Sequence, residues 1–492
     1  PKQKVLIWAG TDDGLIQLTR DGGQHWSNVT PKGIPEWSMV SLIEASPHDA
    51  CTAYAAVDAH KLDNLKPYIY ATSDCGKSWS LLTNGIPEGS YVHVVREDPV
   101  QKGMLFAGTE TGVFISFNNG ANWQPLQLNL PQTPVHDLLV KNNDLAVATH
   151  GRAFWILDNI TPLRQLGNNN SDLVLYKPDV TYRLLWPDDY ERRQPVAPNP
   201  PNGALISYFI KTKPADKEEV KLDILDAQGK LVRSYSSLDK KKNDTPPEWP
   251  DQQPPAEKIP VDAGINRFAW DFRYEGPKEL PGEVGAEFRN KGPFALPGMY
   301  QVRLTANGKS QTVPLELKID PRSPASMADL QKQFELEMKI LDALSQLHTT
   351  VDGIRGVRTQ LHGLHSRLGE DARYKAIMDA SDALDKKMTP VEEQLLQVKI
   401  KSSEASLNYP VLTDEQLHGL FFSVGAGDFA PNQQQYAAFE DLNGKVVPLV
   451  AQWKQIASSD LASLNQMIGK QDVPAIYLAN TSGEQAAGQG QH

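Results

Sequence analysis

Thr72-Ser-Asp-Cys-Gly-Lys-Ser-Trp79 is the stretch from which the fold is read, because the chain says it three times. Thr19-Arg-Asp-Gly-Gly-Gln-His-Trp26 precedes it and Ser116-Phe-Asn-Asn-Gly-Ala-Asn-Trp123 follows. A hydroxyl residue, Asp or Asn two places on, Gly two further and Trp at the eighth position, returning at intervals of about 50 residues, is the signature of a repeat architecture. The pattern describes a turn closed by its own side chains. Asp21, Asp74 and Asn118 can accept bonds from nearby backbone N–H groups, Gly23, Gly76 and Gly120 can take positive φ, and Trp26, Trp79 and Trp123 supply apolar anchors. These residues are therefore structural.

Around each turn the same strands recur. Leu6-Ile-Trp-Ala-Gly-Thr-Asp-Asp-Gly-Leu-Ile16 matches Leu105-Phe-Ala-Gly-Thr-Glu-Thr-Gly-Val-Phe114, and Leu145-Ala-Val-Ala-Thr-His-Gly-Arg-Ala-Phe154 is a third version; each reads as strand, tight turn, strand. Further apolar stretches at Met39 to Ala45, Tyr91 to Glu97 and Val135 to Val140 bring the unit to four strands, the blade of a β-propeller. The repeats resemble Asp-box (BNR) repeats. The run through Tyr91-Val-His-Val-Val-Arg-Glu-Asp-Pro99, Ala107-Gly-Thr-Glu-Thr-Gly112 and Ala148-Thr-His-Gly-Arg-Ala-Phe-Trp-Ile-Leu-Asp158 is similar to the C-terminal part of bacterial sortilin-like or BNR-repeat glycosyl hydrolase family proteins. That resemblance implies a secreted or periplasmic protein. The hydrolase in the family name does not by itself imply a reaction.

Pro1 opens on the second strand of a blade, and the fourth unit passes to Thr161-Pro162 without a box or outer Trp. The propeller is accordingly expected to be completed by an N-terminal portion, supplied by the same polypeptide or by a companion chain.

The 492 residues suggest about three domains, and 40% hydrophobic with 22% charged residues describe an ordinary globular chain. A formal charge of -11 argues against nucleic acid as a partner, and no apolar run approaches a membrane span. Cys51 and Cys75 are too few for a disulfide framework and are read as free buried thiols. The fold class is multidomain: a partial propeller of about four blades over residues 1–162, a linker over 163–203, an Ig-like β-sandwich over 204–322, a helical bundle over 323–475 and a flexible tail over 476–492. Alternating residues from Leu205 onward and the hairpin Tyr300 to Ile319 carry the sandwich, with Trp270 as its core plug. The stripe Leu330, Phe334, Leu341, Leu344, Leu347, Val351 opens a four-helix pattern continued by Tyr374 to Leu396, Asp414 to Val424 and Gln433 to Met467.

Chemistry is sought where propeller strands converge. Glycoside hydrolysis needs two carboxylates flanking a bond, and Asp58, Glu97 and Asp137 are the candidate catalytic residues, with no pair singled out. A sialidase would need an arginine cluster, for which Arg96 and Arg152 do not suffice. Candidate ligand contacts are His60 and Lys61 in the loop Asp58 to Lys66, His93, and the pair His150 and Arg152, where Arg152 is aligned with Gly112 of the preceding unit. No cofactor motif is recognised, and Asp58, His60 and Asp63 are not spaced as a specific metal set. Two functions remain: binding of a glycan or protein ligand in the propeller cup, or hydrolysis of a polysaccharide.

Overall fold

The computed structural model describes residues 2–166, 171–184, 201–238, 258–281, 291–369, 371–402, 405, 407–471 and 473–478. The chain divides into two units, Pro1–Asn170 and Ser171–His492. Much of the expected linker and nearly all of the expected tail lie outside the described residues.

The first unit is a succession of four small antiparallel sheets. The first holds β1 (Ile7–Gly10), β2 (Ile16–Thr19) and β3 (Ser27–Asn28); the second β4 (Met39–Ala45), β5 (Ala53–Asp58), β6 (Tyr68–Thr72) and β7 (Ser80–Leu81). The third holds β8 (Val92–Glu97), β9 (Leu105–Thr109), β10 (Gly112–Ser116) and β11 (Gln124–Pro125), and the fourth β12 (Val135–Lys141), β13 (Asp144–Thr149) and β14 (Phe154–Leu157). In each sheet sequential strands are neighbours, and β4, β8 and β12 lie side by side from sheet to sheet. Strands such as β5 and β9 are buried throughout because a sheet lies against each face.

The repeated turn has one geometry three times over. Gly23, Gly76 and Gly120 donate their N–H to Thr19, Thr72 and Ser116 Oγ at 2.9, 3.0 and 3.0 Å. His25, Ser78 and Asn122 donate theirs to Asp21, Asp74 and Asn118 Oδ1 at 3.0, 2.9 and 3.0 Å. The Trp that ends the turn then reaches the sheet before it: Trp79 Nε1–H donates to the Val29 carbonyl at 2.7 Å and Trp123 Nε1–H to that of Leu82 at 2.9 Å. Cys51 and Cys75, expected as free thiols, form a disulfide. The cause is the pairing of Ala53 with Thr72, which brings the turns flanking β5 and β6 together, so that Cys75 N–H also donates to the Cys51 carbonyl at 3.0 Å.

The second unit contains two β-sheets over one core and a group of helices. Residues 171–184, read from sequence as linker, instead contribute β15 (Leu173–Leu175) and β16 (Thr181–Arg183). The remaining strands are β17 (Ala204–Ile210), β18 (Val220–Asp226), β19 (Leu231–Ser236), β20 (Gly264–Trp270), β21 (Gly298–Ala306) and β22 (Lys309–Ile319). They form a three-stranded sheet, β15-β17-β20, and a five-stranded sheet, β16-β22-β21-β18-β19, in which β16 runs parallel to β22. Trp270 is fully buried between them, against Phe272 and Tyr300, with its Nε1–H donated to the Arg273 carbonyl at 3.0 Å. It is a core residue, as expected of it.

Helix α1 (Met327–Leu368) starts at a capping box between Ser326 and Asp329. It packs its stripe of Leu344, Leu347, Val351 and Ile354 into one apolar cluster with α2 (Lys375–Leu395), α3 (Thr413–Val424), α4 (Gln433–Ile456) and α5 (Ala462–Gly469). The sequence stretch from Gln433 to Met467 reads as one helix; a π-helical turn at Ala457–Leu461 divides it into α4 and α5. Gly353 permits the close approach of α1 to α4, since a Cβ there would meet the Trp453 ring at 3.2 Å.

Candidate functional site

Three of the four sheets share a defect at the same place. The first strand of each carries a β-bulge, between Val40 and Leu42, between Val92 and Val94 and between Val135 and Asp137. A bulge leaves one residue outside the pairing and re-aims its side chain. Those residues are Ser41, His93 and His136.

A line of rings is built on two of them. The His60 ring stacks on Tyr91 at 4.8 Å between centroids, Tyr91 meets His93 edge-on at 5.1 Å, His93 stacks on His136 at 4.4 Å, and His136 lies 5.0 Å from His150. His60 comes from the short helical turn after β5, Tyr91 and His93 from β8 and its entry, His136 from β12 and His150 from the turn between β13 and β14. His136 and His150 are exposed, so the row faces solvent at that end.

Carboxylates stand behind the rings. Asp58, buried at the end of β5, holds His60 Nδ1 at 2.7 Å and lies 4.0 Å from His93 Nδ1, while Glu110 Oε2 is 3.1 Å from His93 Nε2. Both nitrogens of His93 thus face negative charge. Burial, and then the hydrogen bond and charge of Glu110, push the Tyr91 phenol up to about 12. His136 is held below the ordinary imidazole range, by desolvation first and then by His93 and His150. The row offers apolar ring faces, imidazole donors and acceptors, and a charge set by the protonation of its histidines.

Of the sequence candidates, His60, His93 and His150 come together here, with Asp58 as their support. Lys61 is exposed on the same turn as His60. Arg152 is exposed too, but it does not fill a glycine conformation: positive φ falls on Gly151 (85°) and Ala153 (61°), because the β13–β14 turn is longer than the β9–β10 turn. Its main chain bonds Thr149 Oγ1 and the Trp155 indole.

Glu97 and Asp137 make their contacts elsewhere than with the histidines that Asp58 supports. Glu97 is buried and accepts the Gly103 N–H at 3.0 Å, a structural contact; it lies four residues down β8 from His93, roughly 13 Å along the strand. Asp137 accepts from Arg96 Nη2 at 2.8 Å, and the same guanidinium donates to Glu44 Oε2 at 2.9 Å through Nη1 and to the Leu138 carbonyl through Nε. Sequence reasoning passed over Tyr91 and His136, and read Glu110 as a turn residue in the place of Asp12. The signal was present: Val92-His93-Val94 and Val135-His136-Asp137 occupy the same place in successive repeats.

No family model matches this chain, and no curated protein matches it. Among solved structures it is similar to YCF48 bound to a D1 peptide, at 12% identity and TM-score 0.26 over 63% of this chain and 78% of that one. It is also similar to a GH74 xyloglucanase from Xanthomonas campestris, at 13% and 0.27 over 62% and 53%, and to the extracellular domain of a hybrid two-component system from B. thetaiotaomicron, at 12% and 0.23 over 64% and 42%. The chain thus spans about half the xyloglucanase. These neighbours are propeller-type proteins. The chain itself is a multidomain β-rich protein with a helical part, and no helix among the described residues is long and apolar enough to cross a membrane.

Proposed function

We propose that residues 1–162 are blades of an Asp-box β-propeller in an exported binding protein, and that its ligand, a glycan or a peptide, is held along the row from His60 to His150. The continuous line of five rings, delivered from three sheets to one exposed end, carries this reading. Ring faces bind sugar C–H faces and peptide side chains alike, and Asp58 and Glu110 fix the imidazoles in orientation. Lys61 and Arg152 flank the row as exposed cations. The Cys51–Cys75 disulfide supports export, since such bonds persist in oxidising compartments. The Ig-like sandwich (204–322) and the helical bundle (323–475) serve as docking domains.

Glycan and peptide arrays probed with the full chain test this. Binding by the wild type that is lost in the His93→Ala/His136→Ala variant is the expected result; equal binding by both rejects the row as the site.

Polysaccharide hydrolysis is the second reading, favoured by Glu44 and Asp137 held on one guanidinium. Burial raises the Glu44 carboxyl above its usual range against the pull of Arg96, as a general acid requires, while Asp137 is half exposed. A hydrolysis screen with Glu44→Gln, Asp137→Asn, Asp58→Asn and Glu97→Gln assayed singly discriminates. Activity abolished by the first two alone selects hydrolysis at Arg96.

A further inference from the structure

In the second unit an apolar helix core is interrupted by three polar side chains that converge. His348 sits on the buried stripe of α1 between Leu347 and Val351, and α3 contributes Asp414 and His418, four residues apart and so on one helical face. All three are buried, and their candidate donor atoms lie within 4.8 Å of one another. His348 Nε2 is 2.8 Å from Asp414 Oδ1, and His418 Nε2 is 3.7 Å from the same oxygen.

We infer that His348, Asp414 and His418 form a binding site for a divalent first-row transition metal ion, with Zn2+ the ion it suits best. The donor chemistry is two imidazoles and one carboxylate, the set that zinc accepts. Tetrahedral ligands about 2.0–2.1 Å from zinc lie roughly 3.3 Å from one another, between the two distances observed, so an ion fits with small side-chain adjustments.

The tautomer agrees. His348 Nδ1 is 2.5 Å from the Lys278 carbonyl oxygen, which can only accept, so Nδ1 carries the proton it donates. An outer contact of this kind orients a metal-binding imidazole and leaves Nε2 toward the ion. His348 Nε2 lies 2.8 Å from Asp414 Oδ1, a hydrogen-bonding distance, so a bound ion would take the place of the proton between them, with His418 Nε2 directed at the same oxygen.

Access is present as well. Asp414 also lines a cavity of about 510 Å³ bounded by Arg355, Arg358, Glu392 and Lys401. Of the three ligands Asp414 alone lines it, so Asp414 is the side from which an ion would arrive. Bound there, the ion ties the middle of α1 to the start of α3.

The test uses the full chain, stripped with chelator, reloaded with Zn2+ and passed over a desalting column before metal analysis. One Zn2+ per chain is expected in the wild type and in a His93→Gln/His136→Gln variant, and none in His348→Gln/His418→Gln. Retention of the metal by that last variant, loss of it from the propeller variant alone, or its absence from the wild type overturns the site. Because the bundle variant can fail to fold, the wild type is also titrated with Co2+. An intense ligand-field band displaced by Zn2+ supports the proposal, and the weak spectrum of the hydrated ion overturns it. Zn2+ should also raise the unfolding temperature of the helical part in the wild type and leave that of Asp414→Asn unchanged.

Discussion

Trp123 donates its indole Nε1–H to the Leu82 carbonyl of the preceding sheet, 2.9 Å away, as Trp79 does to Val29. The last residue of the second and of the third repeated turn therefore pins one sheet to the one before it. Trp123→Phe keeps most of the apolar contact and leaves that carbonyl short of a donor, so it should cost about 1–2 kcal/mol in urea unfolding. Trp26 is 45% exposed, and Trp26→Phe should change stability by less than about 0.5 kcal/mol. Equal losses at both positions would show that the bond between sheets is not what the Trp supplies.

The turn carboxylate has a pH signature. The Ser78 hydroxyl and N–H, followed by Thr72, hold Asp74 down to about 2. A depressed folded-state value means that its contribution is present above the ordinary Asp range and is lost as pH falls from about 4 to 2. Asn118 already fills this place in the third repeat. Asp74→Asn should therefore melt near the wild type at pH 7 and lose less on acidification, whereas Asp74→Ala should melt lower at pH 7. A steeper acid loss in Asp74→Asn than in the wild type would refute the assignment.

How much of this was legible in the sequence depends on range. The repeated turns were readable because every bond in them joins residues two to four apart, and Trp270 was expected in the core, where it lies. The disulfide was not, since it depends on the register of Ala53 with Thr72. Strand β16 was missed because its parallel partner, β22, lies more than a hundred residues away. The ring row stayed half hidden for a related reason. Bulges decide where His93 and His136 point, and a bulge leaves no local mark in composition.

The Cys51–Cys75 bond closes a loop with a sequence separation of 24. Loop-closure entropy for that length makes it worth roughly 3.5 kcal/mol. Cys51→Ala/Cys75→Ala should unfold at lower urea by a corresponding amount, and thiol titration of the denatured wild type should find no free thiol before reduction. Two thiols titrating without reductant would remove the bond and this prediction together.

Coupling within the ring row is open to NMR of the histidine Cε1–H groups. His136 should titrate below the ordinary value because of desolvation and of its neighbours His93 and His150. His93→Gln removes one repelling cation at a ring-centroid distance of 4.4 Å, so His136 should titrate at higher pH in that variant. If His136 titrates identically with and without His93, the rings do not form one electrostatic unit, and the case for a shared binding surface weakens with it.

Glu337, buried on α1, is a pH lever in the second unit. Burial pushes its carboxyl up to about 7, with Arg273 and then Arg183 opposing the shift. The unfolded chain ionises this group near 4.5. Stability is therefore fully present below that value, falls as pH rises toward about 7, and levels off once both states are ionised. Glu337→Gln keeps the shape and cannot ionise. Followed by helical circular dichroism in urea, the variant should match or fall slightly below the wild type at pH 4.5 and exceed it at pH 8, by at most roughly 3 kcal/mol. Parallel pH profiles for the two proteins would mean that the carboxyl is solvated or finds a cation when it ionises, and that α1 carries no such penalty.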